Sequence, residues 1–584
     1  MKKTKIICTL GPSTSTEEII TELAKNGMNV ARFNFSHGSH EEHLERYKIV
    51  ESVRNKMGIP LATLLDTKGP EVRLKKFEGG VATLKTGDSF ILTTEDVLGN
   101  AKRASITYEK LPKDVKPGDI ILLDDGLIEL EVTKISGNDI SCHIINGGII
   151  KDNKGVNIPD VKLSLPFISK RDREDILFGI KTGFDFVAAS FTSSGEDVRE
   201  MRALLDENGG EGIKIIAKIE NSEGVKNIRE ILKLADGVMI ARGDMGVEIP
   251  QQNLPAIQKH IIRIGYEMGK IVITATQMLE SMINNPRPTR AESSDIANAV
   301  YDGTSAIMLS GETAAGKYPI EAVRTMTSIA TQTEKDIDYK SRFNKRDHTE
   351  GIDITNAISH ATCQAAYDLD ASAIVTVTRS GHTARMISKY RPSKAIIGCS
   401  YDEQTYRQLA LSWGVIPALC PFLEDTDKLF DFSVKLAEES GVAKPGELVV
   451  ITAGVPLGIP GTTNILKVQI VGDVILTGKG IGDSITYGNV VICDEETMEK
   501  AKGDSDYFSE SIIVSHKTNN SMMEMLRTAS GIITEDEEDS HAETVGLSLG
   551  IPVITGAKNA LQILKPGTRV KLDAKNGTVS SNEK

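Results

Sequence analysis

Lys214-Ile-Ile-Ala-Lys-Ile-Glu-Asn221 is a short apolar run that breaks into charge at its C-terminal end, and Met239-Ile-Ala-Arg-Gly-Asp-Met-Gly246 repeats the arrangement. Such runs read as strands of a parallel sheet buried on both faces. Their polar ends then put Lys218, Glu220 and Asp244 on one rim of the sheet, where α/β folds carry their chemistry. Two carboxylates beside one ammonium suit a divalent cation, Mg²⁺ or Mn²⁺, that holds a phosphorylated substrate about to become an oxyanion. Each residue alone reads as an ordinary charged strand end; three at corresponding strand ends read as a site.

Working outward, the same rhythm recurs. Strands are expected at Lys5–Leu10, Val30–Phe35 and Leu61–Leu65, then at Phe186–Ser190, Ile213–Ile219, Val238–Ala241, Ile271–Thr276 and Ala306–Ser310, with helical segments between. Eight βα units predict a closed TIM (β/α)8 barrel rather than an open doubly wound sheet. The series is interrupted after the third strand by short alternating β runs with Gly and Asp turns, which reads as a separate small β domain inserted into it. The expected domains are residues 1–71 and 164–336 for the barrel, 72–163 for the insert, 337–473 for a C-terminal α/β domain, and 474–584 for an extra small α/β domain. The charged stretch Asp338–Thr349 reads as a linker.

A chain of 584 residues needs several cores. Its net charge of −13, with no basic cluster, argues against nucleic acid or an anionic membrane as partner. No apolar run is long enough to span a bilayer, and the N-terminus lacks the pattern of a signal peptide. Six scattered cysteines without a CxxC pair read as reduced thiols of a cytoplasmic protein.

The strand ends collect Arg32, Asn34, Ser36 and His37; Asp66, Thr67 and Arg73; Lys218 and Glu220; Arg242 and Asp244; Thr276; and Ser310 with Glu312. Arginines and a lysine around a carboxylate pair suit a phosphorylated anion. Asn34, Ser36, Asp66 and Thr67 supply oxygens for a monovalent-cation cage. Gly311-Glu-Thr-Ala-Ala-Gly-Lys317 nearly fits a P-loop, but Tyr318-Pro319 stands where the magnesium-binding hydroxyl belongs. A nucleotide would have to bind some other way.

Six motifs in order, Arg32-Phe-Asn-Phe-Ser-His-Gly38, Leu65-Asp-Thr-Lys-Gly-Pro-Glu71, Lys218-Ile-Glu-Asn221, Ala241-Arg-Gly-Asp-Met-Gly246, Thr274-Ala-Thr-Gln-Met-Leu-Glu280 and Met308-Leu-Ser-Gly-Glu-Thr313, resemble the pyruvate kinase family. The resemblance implies phosphoryl transfer from phosphoenolpyruvate to ADP, giving ATP and pyruvate through a Mg-stabilised enolate that is then protonated. By motif, Glu220 and Asp244 would hold Mg²⁺, and Asn34, Ser36, Asp66 and Thr67 would hold K⁺, with Glu71 the residue type of potassium-dependent members. Arg32, Arg73, Lys218, Thr276 and Ser310 would be catalytic. Substrate would meet Arg32, Lys218, Gly243, Asp244 and Thr276, and nucleotide Arg73 and His37. The loop Thr378-Arg379-Ser380-Gly381-His382-Thr383 resembles the family's effector loop for a sugar phosphate or nucleoside monophosphate, with Gly454–Thr463 as a second wall. The resemblance also implies that the insert is a β-barrel lid, that the tail domain is of swivelling type, and that the chain forms a homotetramer. A Mg-dependent lyase on the same barrel is the competing enzyme class; it would need neither the lid nor the potassium cage.

Two departures stand out. Thr192-Ser193-Ser194 and Ala315 occupy positions where the family often carries basic residues, which predicts weaker ADP binding. The tail resembles the mobile domain of phosphoenolpyruvate-utilising enzymes around Ser540-His541-Ala542. The acidic run Glu535–Asp539 before it is expected to repel a phosphoryl group and disfavour a phosphorylated His541, so a structural or assembly role is expected for the tail.

Overall fold

The structure is a computed structural model that describes residues 2–345, 353–423, 425–454, 463–493, 495–500 and 508–581. By contact the chain divides into two compact units: residues 1–352, 379–392 and 400–419, and residues 353–378, 393–399 and 420–584.

The first unit is built on eight parallel strands that close on themselves: β1 (Lys5–Thr9), β2 (Val30–Asn34), β3 (Ala62–Asp66), β4 (Phe186–Ala189), β5 (Lys214–Ile219), β6 (Gly237–Ala241), β7 (Ile271–Ala275) and β8 (Ala306–Leu309). Neighbours in sequence pair around the ring, and β1 returns to β8 through Lys5↔Ala306 and Cys8↔Leu309. Almost every strand residue is buried, because one face looks into the barrel and the other onto helices. Outside lies the larger apolar cluster, with Phe33, Leu65 and Ile219; inside are Ile7, Leu64, Ile216 and Met239. The helices begin where the sequence supplies caps. Ser39 with Glu42, Ser169 with Asp172, Ser194 with Asp197 and Thr289 with Glu292 all form reciprocal capping boxes. These boxes fix where each helix leaves its loop, and hence where the rim residues stand.

Between β3 and β4 the chain forms a seven-stranded, mostly antiparallel sheet and a two-stranded ribbon. Ile128–Ser136 shows the alternation of a half-buried strand, and Leu74, Phe90, Leu92, Leu130 and Ile140 form an apolar cluster of the insert's own. The expected linker at 338–349 is corrected in part. Tyr339–Lys345 is a helix, with Tyr339 and Phe343 buried and the Tyr339 ring 5.4 Å from that of Trp413; residues 346–349 lie outside the described residues. Two aromatics four apart outweigh the surrounding charge.

In the second unit, Ala373–Val377 pairs in parallel with Ala395–Ser400 and Leu448–Gly454, and Thr463–Ile470 adds an antiparallel edge. The tail forms an eight-stranded sheet, parallel from Ile485–Ile492 through Ser511–Ser515 and Gly531–Thr534 to Val553–Thr555. Among the described residues no helix is long and apolar enough to cross a membrane.

Candidate active site

The C-terminal ends of the barrel strands hold a continuous polar network. Register pairs Asn34 with Asp66, and Asp66 with Ala188, so the ends of β2, β3 and β4 are neighbours. From β5, Lys218 reaches across this rim. Its Nζ donates to Ser190 Oγ at 2.7 Å and pairs with Asp66 Oδ1 at 3.1 Å and Glu220 Oε1 at 3.0 Å. Arg32 Nε donates to the other Asp66 oxygen at 2.6 Å, and its Nη1 to Thr9 Oγ1 at 2.8 Å. Asp66 and Glu220 are fully buried, and Lys218 and Arg32 nearly so.

Burying these charges is costly unless they are paired. Burial alone would lower the Lys218 pKa, but Asp66, Glu220 and Asp244 outweigh it and hold the ammonium firmly charged. Burial also works to raise Asp66, yet Arg32 and Lys218 prevail and keep it below the usual carboxylate range. Glu220 differs. Burial pushes it up to about 7, Lys218 opposes, and the negative charge of Asp244 adds to the rise. Glu220 also accepts the Phe191 N–H at 2.6 Å. A buried carboxylate that still lacks enough positive charge, facing a second carboxylate, fits a divalent cation. Among the described residues no group of three or more His, Cys, Asp or Glu could hold a metal. A Glu220–Asp244 site would therefore leave most coordination to substrate and water, the habit of Mg²⁺.

After the neighbouring strand β6, Asp244 is exposed in the first turn of the helix Arg242–Glu248. The Gly243 N–H is not open to a ligand: it donates to Thr276 Oγ1 at 2.7 Å, and that hydroxyl donates to Ala275 O at 2.6 Å. Thr276 has φ 67°, with Gln277 at 53° and Phe191 at 56°. For a β-branched residue that conformation is strained, and strain collects where surrounding contacts over-determine it. Here Arg242 is the clamp. It donates to Thr276 O at 2.6 Å and Ala275 O at 3.2 Å, while Asp295 holds it at 2.6 Å. Ser310 closes the ring after β8, its N–H donating to the buried Glu312 at 2.6 Å.

The structure gathers Arg32, Asp66, Lys218 and Glu220 into one contact network, with Thr276 and Ser310 at the ends of the neighbouring β7 and β8. Asn34 Oδ1 accepts the Ser36 N–H at 3.1 Å, so the proposed potassium residues adjoin one another, but the Thr67 hydroxyl is committed to Ala188 O and the Ser190 N–H. Two residues stand apart. Arg73 lies in the insert, donating to Glu71 at 2.7 Å and Asn153 O at 2.8 Å, and His37 is exposed. Ser190, which bridges Lys218 to Thr67 O at 2.6 Å, was not anticipated, nor was the supporting role of Thr9. Ser190 directly follows β4, where a lone serine carries no signal until Lys218 is seen to reach it from β5.

The neutral stretch Thr192-Ser193-Ser194 has structural work. Thr192 Oγ1 donates to Ala189 O, Ser193 Oγ accepts from Asn221, and Ser194 caps Gly195–Asp206. Ala315 is exposed at the end of the Gly311–Ala314 turn of helix. In the loop before the helix His382–Lys389, Thr378 and Thr383 are buried, Arg379 is exposed, Ser380 O accepts from Arg385, and Gly381 takes the left-handed φ of 76°. The expected second wall, Gly454–Thr463, has its residues 455–462 outside the described residues. In the tail, the acidic run is less bare than its sequence suggests. Glu535 pairs with His516, Asp536 with Lys517 and Glu537 with Lys558, while Asp539 is buried and caps the helix that carries His541. The His541 ring contacts Thr518 Oγ1 at 2.9 Å and Asn520 Oδ1 at 3.1 Å.

Residues 1–323 match the family model described as pyruvate kinase, barrel domain, and residues 356–469 that of pyruvate kinase, alpha/beta domain. Residues 508–577 match PEP-utilising enzyme, mobile domain. The chain is similar to pyruvate kinases from Geobacillus stearothermophilus (48% identity over 99% of this chain and 98% of the relative) and Bacillus licheniformis (47%, over 99% of each). A solved pyruvate kinase from Cryptosporidium parvum superposes with a TM-score of 0.77 at 39% identity, covering 81% of this chain and 96% of that one.

Proposed function

The chain belongs to the pyruvate kinase family of phosphotransferases, and from that premise we propose how its own residues transfer a phosphoryl group from phosphoenolpyruvate to ADP. The observation that carries this reading is the buried Lys218 ammonium, held by Asp66, Glu220 and Ser190 at the barrel rim. In phosphoryl transfer there is little covalent work for a protein; positioning and charge stabilisation do most of it. Lys218 and Arg32 neutralise the phosphoryl oxygens as the bond to the enol oxygen breaks. Both are already charged and already oriented, so little reorganisation is needed at the moment of reaction.

Glu220 and Asp244 hold Mg²⁺ or Mn²⁺, and Asn34, Ser36, Asp66 and Thr67 hold K⁺; when bound, these ions add positive charge against the phosphate and the enolate oxygen. Lys218 stabilises the enolate left behind. Thr276 and Ser310 relay a proton to the enolate carbon, completing pyruvate, since hydroxyls pass protons without becoming charged. Gly243, whose N–H is tied to Thr276, keeps Asp244 and Thr276 in register at the substrate. Arg73, carried by the insert, and His37, exposed at the rim, meet the nucleotide when the insert closes. The missing basic side chains at 192–194 and 315 weaken ADP binding and leave the phosphoenolpyruvate end untouched.

The reading extends to regulation and setting. The loop from Thr378 to Thr383 accepts a phosphorylated effector, the chain assembles as a homotetramer, and cysteines outside disulfides, five of the six buried, suit a cytoplasmic enzyme. A coupled assay for pyruvate, with phosphoenolpyruvate and ADP and with K⁺ and Mg²⁺ each omitted in turn, tests the whole. Turnover that needs both ions is expected; turnover indifferent to K⁺ would remove the cage, and none under any condition would remove the proposal.

A further inference from the structure

The insert hangs from the barrel on two connections, one leaving after β3 and one returning to the helix Lys170–Thr182 that precedes β4. The first turn of that helix grips both. Asp172 is 2% exposed, and its two carboxylate oxygens face different partners. Oδ2 serves the helix itself, accepting from Ser169 Oγ at 2.5 Å and from the Ser169 N–H at 3.3 Å. Oδ1 looks away from the helix and accepts the successive N–H groups of Lys68 and Gly69 at 3.0 and 3.1 Å, from the outgoing connection. A reciprocal cap needs only the first oxygen. The second joins two stretches of chain that the whole insert separates.

Two consecutive N–H groups aimed at one oxygen form a small anion nest, and Gly69, at φ 76°, supplies the turn it requires. Space restricts this position as much as backbone does: a Cβ on Gly69 would stand 2.7 Å from Ser190 Cβ and 2.7 Å from Phe191 Cδ2. Those two residues touch the buried pair at the rim, since Ser190 accepts from Lys218 Nζ and the Phe191 N–H donates to Glu220. Directly before the nest, Asp66 pairs with Lys218 and Thr67 O accepts from Ser190. Arg171, in the same helical turn, holds the other rim loop. Its Nη2 donates to Phe35 O at 2.9 Å, between Asn34 and Ser36, and Asp175 lies 3.8 Å from its Nε.

We propose that Asp172 and Arg171 are positioning residues for the transfer, on the reading that Lys218 and Glu220 serve it. They anchor the rim loops 34–37 and 66–69 to the helix on which the insert returns. Through Gly69, Asp172 also fixes Ser190 and Phe191, and so the aim of Lys218 and Glu220. The attachment of the insert and the geometry of the catalytic ammonium thus share one anchor.

Hydrogen–deuterium exchange and steady-state kinetics on the full-length protein test this together. Asp172→Asn keeps the shape of the side chain and leaves a weaker, neutral acceptor. Exchange should quicken about tenfold in peptides covering 66–71 and 188–192 and stay unchanged in β6 and β7. The same variant should lower kcat by about 10- to 100-fold with KM for phosphoenolpyruvate little changed. Arg171→Gln should quicken exchange at 34–38 and lower kcat less. Arg171→Lys should restore both, because a lysine can still donate to a single carbonyl. A role confined to the helix start would lower the melting temperature and quicken exchange at 169–175, yet leave kcat intact well below the melt. That result overturns the proposal, as does unaltered exchange in both loops. If Asp172→Asn does not fold, the two Arg171 variants decide. A parent chain without turnover sinks the catalytic reading and the positioning role with it; an active parent whose folded variants keep kcat sinks the positioning role alone.

Discussion

At the scale of single residues, Lys218 carries two burdens. Its ammonium serves the proposed chemistry, and it also compensates Asp66 and Glu220, both buried. Lys218→Met should therefore lower kcat by ~10³-fold, the order of removing a strong oxyanion donor, and should also lower the melting temperature. Asp66 keeps Arg32, but Glu220 keeps only the Phe191 N–H and would take up a proton. Added Mg²⁺ should recover part of the lost melting temperature, as measured by differential scanning fluorimetry; no recovery would speak against a metal at Glu220. Ser190 separates orientation from charge. It accepts from Lys218 and donates to Thr67 O, so Ser190→Ala leaves the ammonium charged but less well aimed. The expected outcome is kcat lower by about 10- to 100-fold with KM for phosphoenolpyruvate little changed, read from steady-state kinetics. Lys218 could be picked out of the sequence because an ammonium stands out at the end of an apolar run. Ser190 could not, since a serine after a strand is commonplace until the lysine from the next strand is seen to reach it.

Among elements, the barrel strands were legible because burial on both faces leaves unbroken apolar runs, such as Ile271–Ala275, and their bounds shifted by only a residue or so at either end. The helix Tyr339–Lys345 was hidden by its charges, although its two buried aromatics sit at helical spacing. What a linear reading could not supply was which strand ends touch, because that depends on the stagger of a closed barrel. The start of β1 illustrates this. Lys5 is buried and donates to Val415 O at 2.6 Å, a partner 410 residues away. Burial lowers its pKa to about 7, with Lys2 adding to the fall and Glu334 opposing it. An unfolded lysine titrates near ~10.4. Between those values the unfolded chain binds a proton that the folded chain does not, so this residue makes stability rise with pH across the window, and the gain is lost as pH falls towards 7. Lys2, lowered to about 8, acts in the same direction. Replacing Lys5 by Met should flatten the rise in melting temperature between pH 7 and 10, and should leave the variant at least as stable as the parent at pH 7. An unchanged slope would show that Lys5 stays charged in the fold.

For the whole molecule, the question is what the tail contributes. Its sheet is closed within itself: Val474–Thr477 pairs with Thr578–Ser581, and Lys479–Ile481 with Val553–Thr555. Among the described residues, two apolar clusters of the tail, one around Ile512 and Leu572 and one around Ile513 and Leu526, draw on residues from 475 onward. An element whose first and last strands pair and whose core is private can be removed without cutting through a sheet or opening a core elsewhere. The residues placed in the proposed mechanism all come from the barrel and its insert, between Arg32 and Ser310. Among the described residues, one contact that removal would break lies where the backbone at Gly446 approaches the methyl groups of Thr477 and Thr578. A chain ending at residue 473 should therefore fold and keep essentially full kcat and KM for phosphoenolpyruvate. Its melting temperature should fall only modestly, since the loss is one small packed patch rather than a shared core. Steady-state kinetics and thermal melts of the truncated protein test this together. A truncated chain that folds but has lost turnover would mean that the tail acts on the rim from outside the barrel, and its partnered acidic run and the hydrogen-bonded His541 would then be the first groups to mutate.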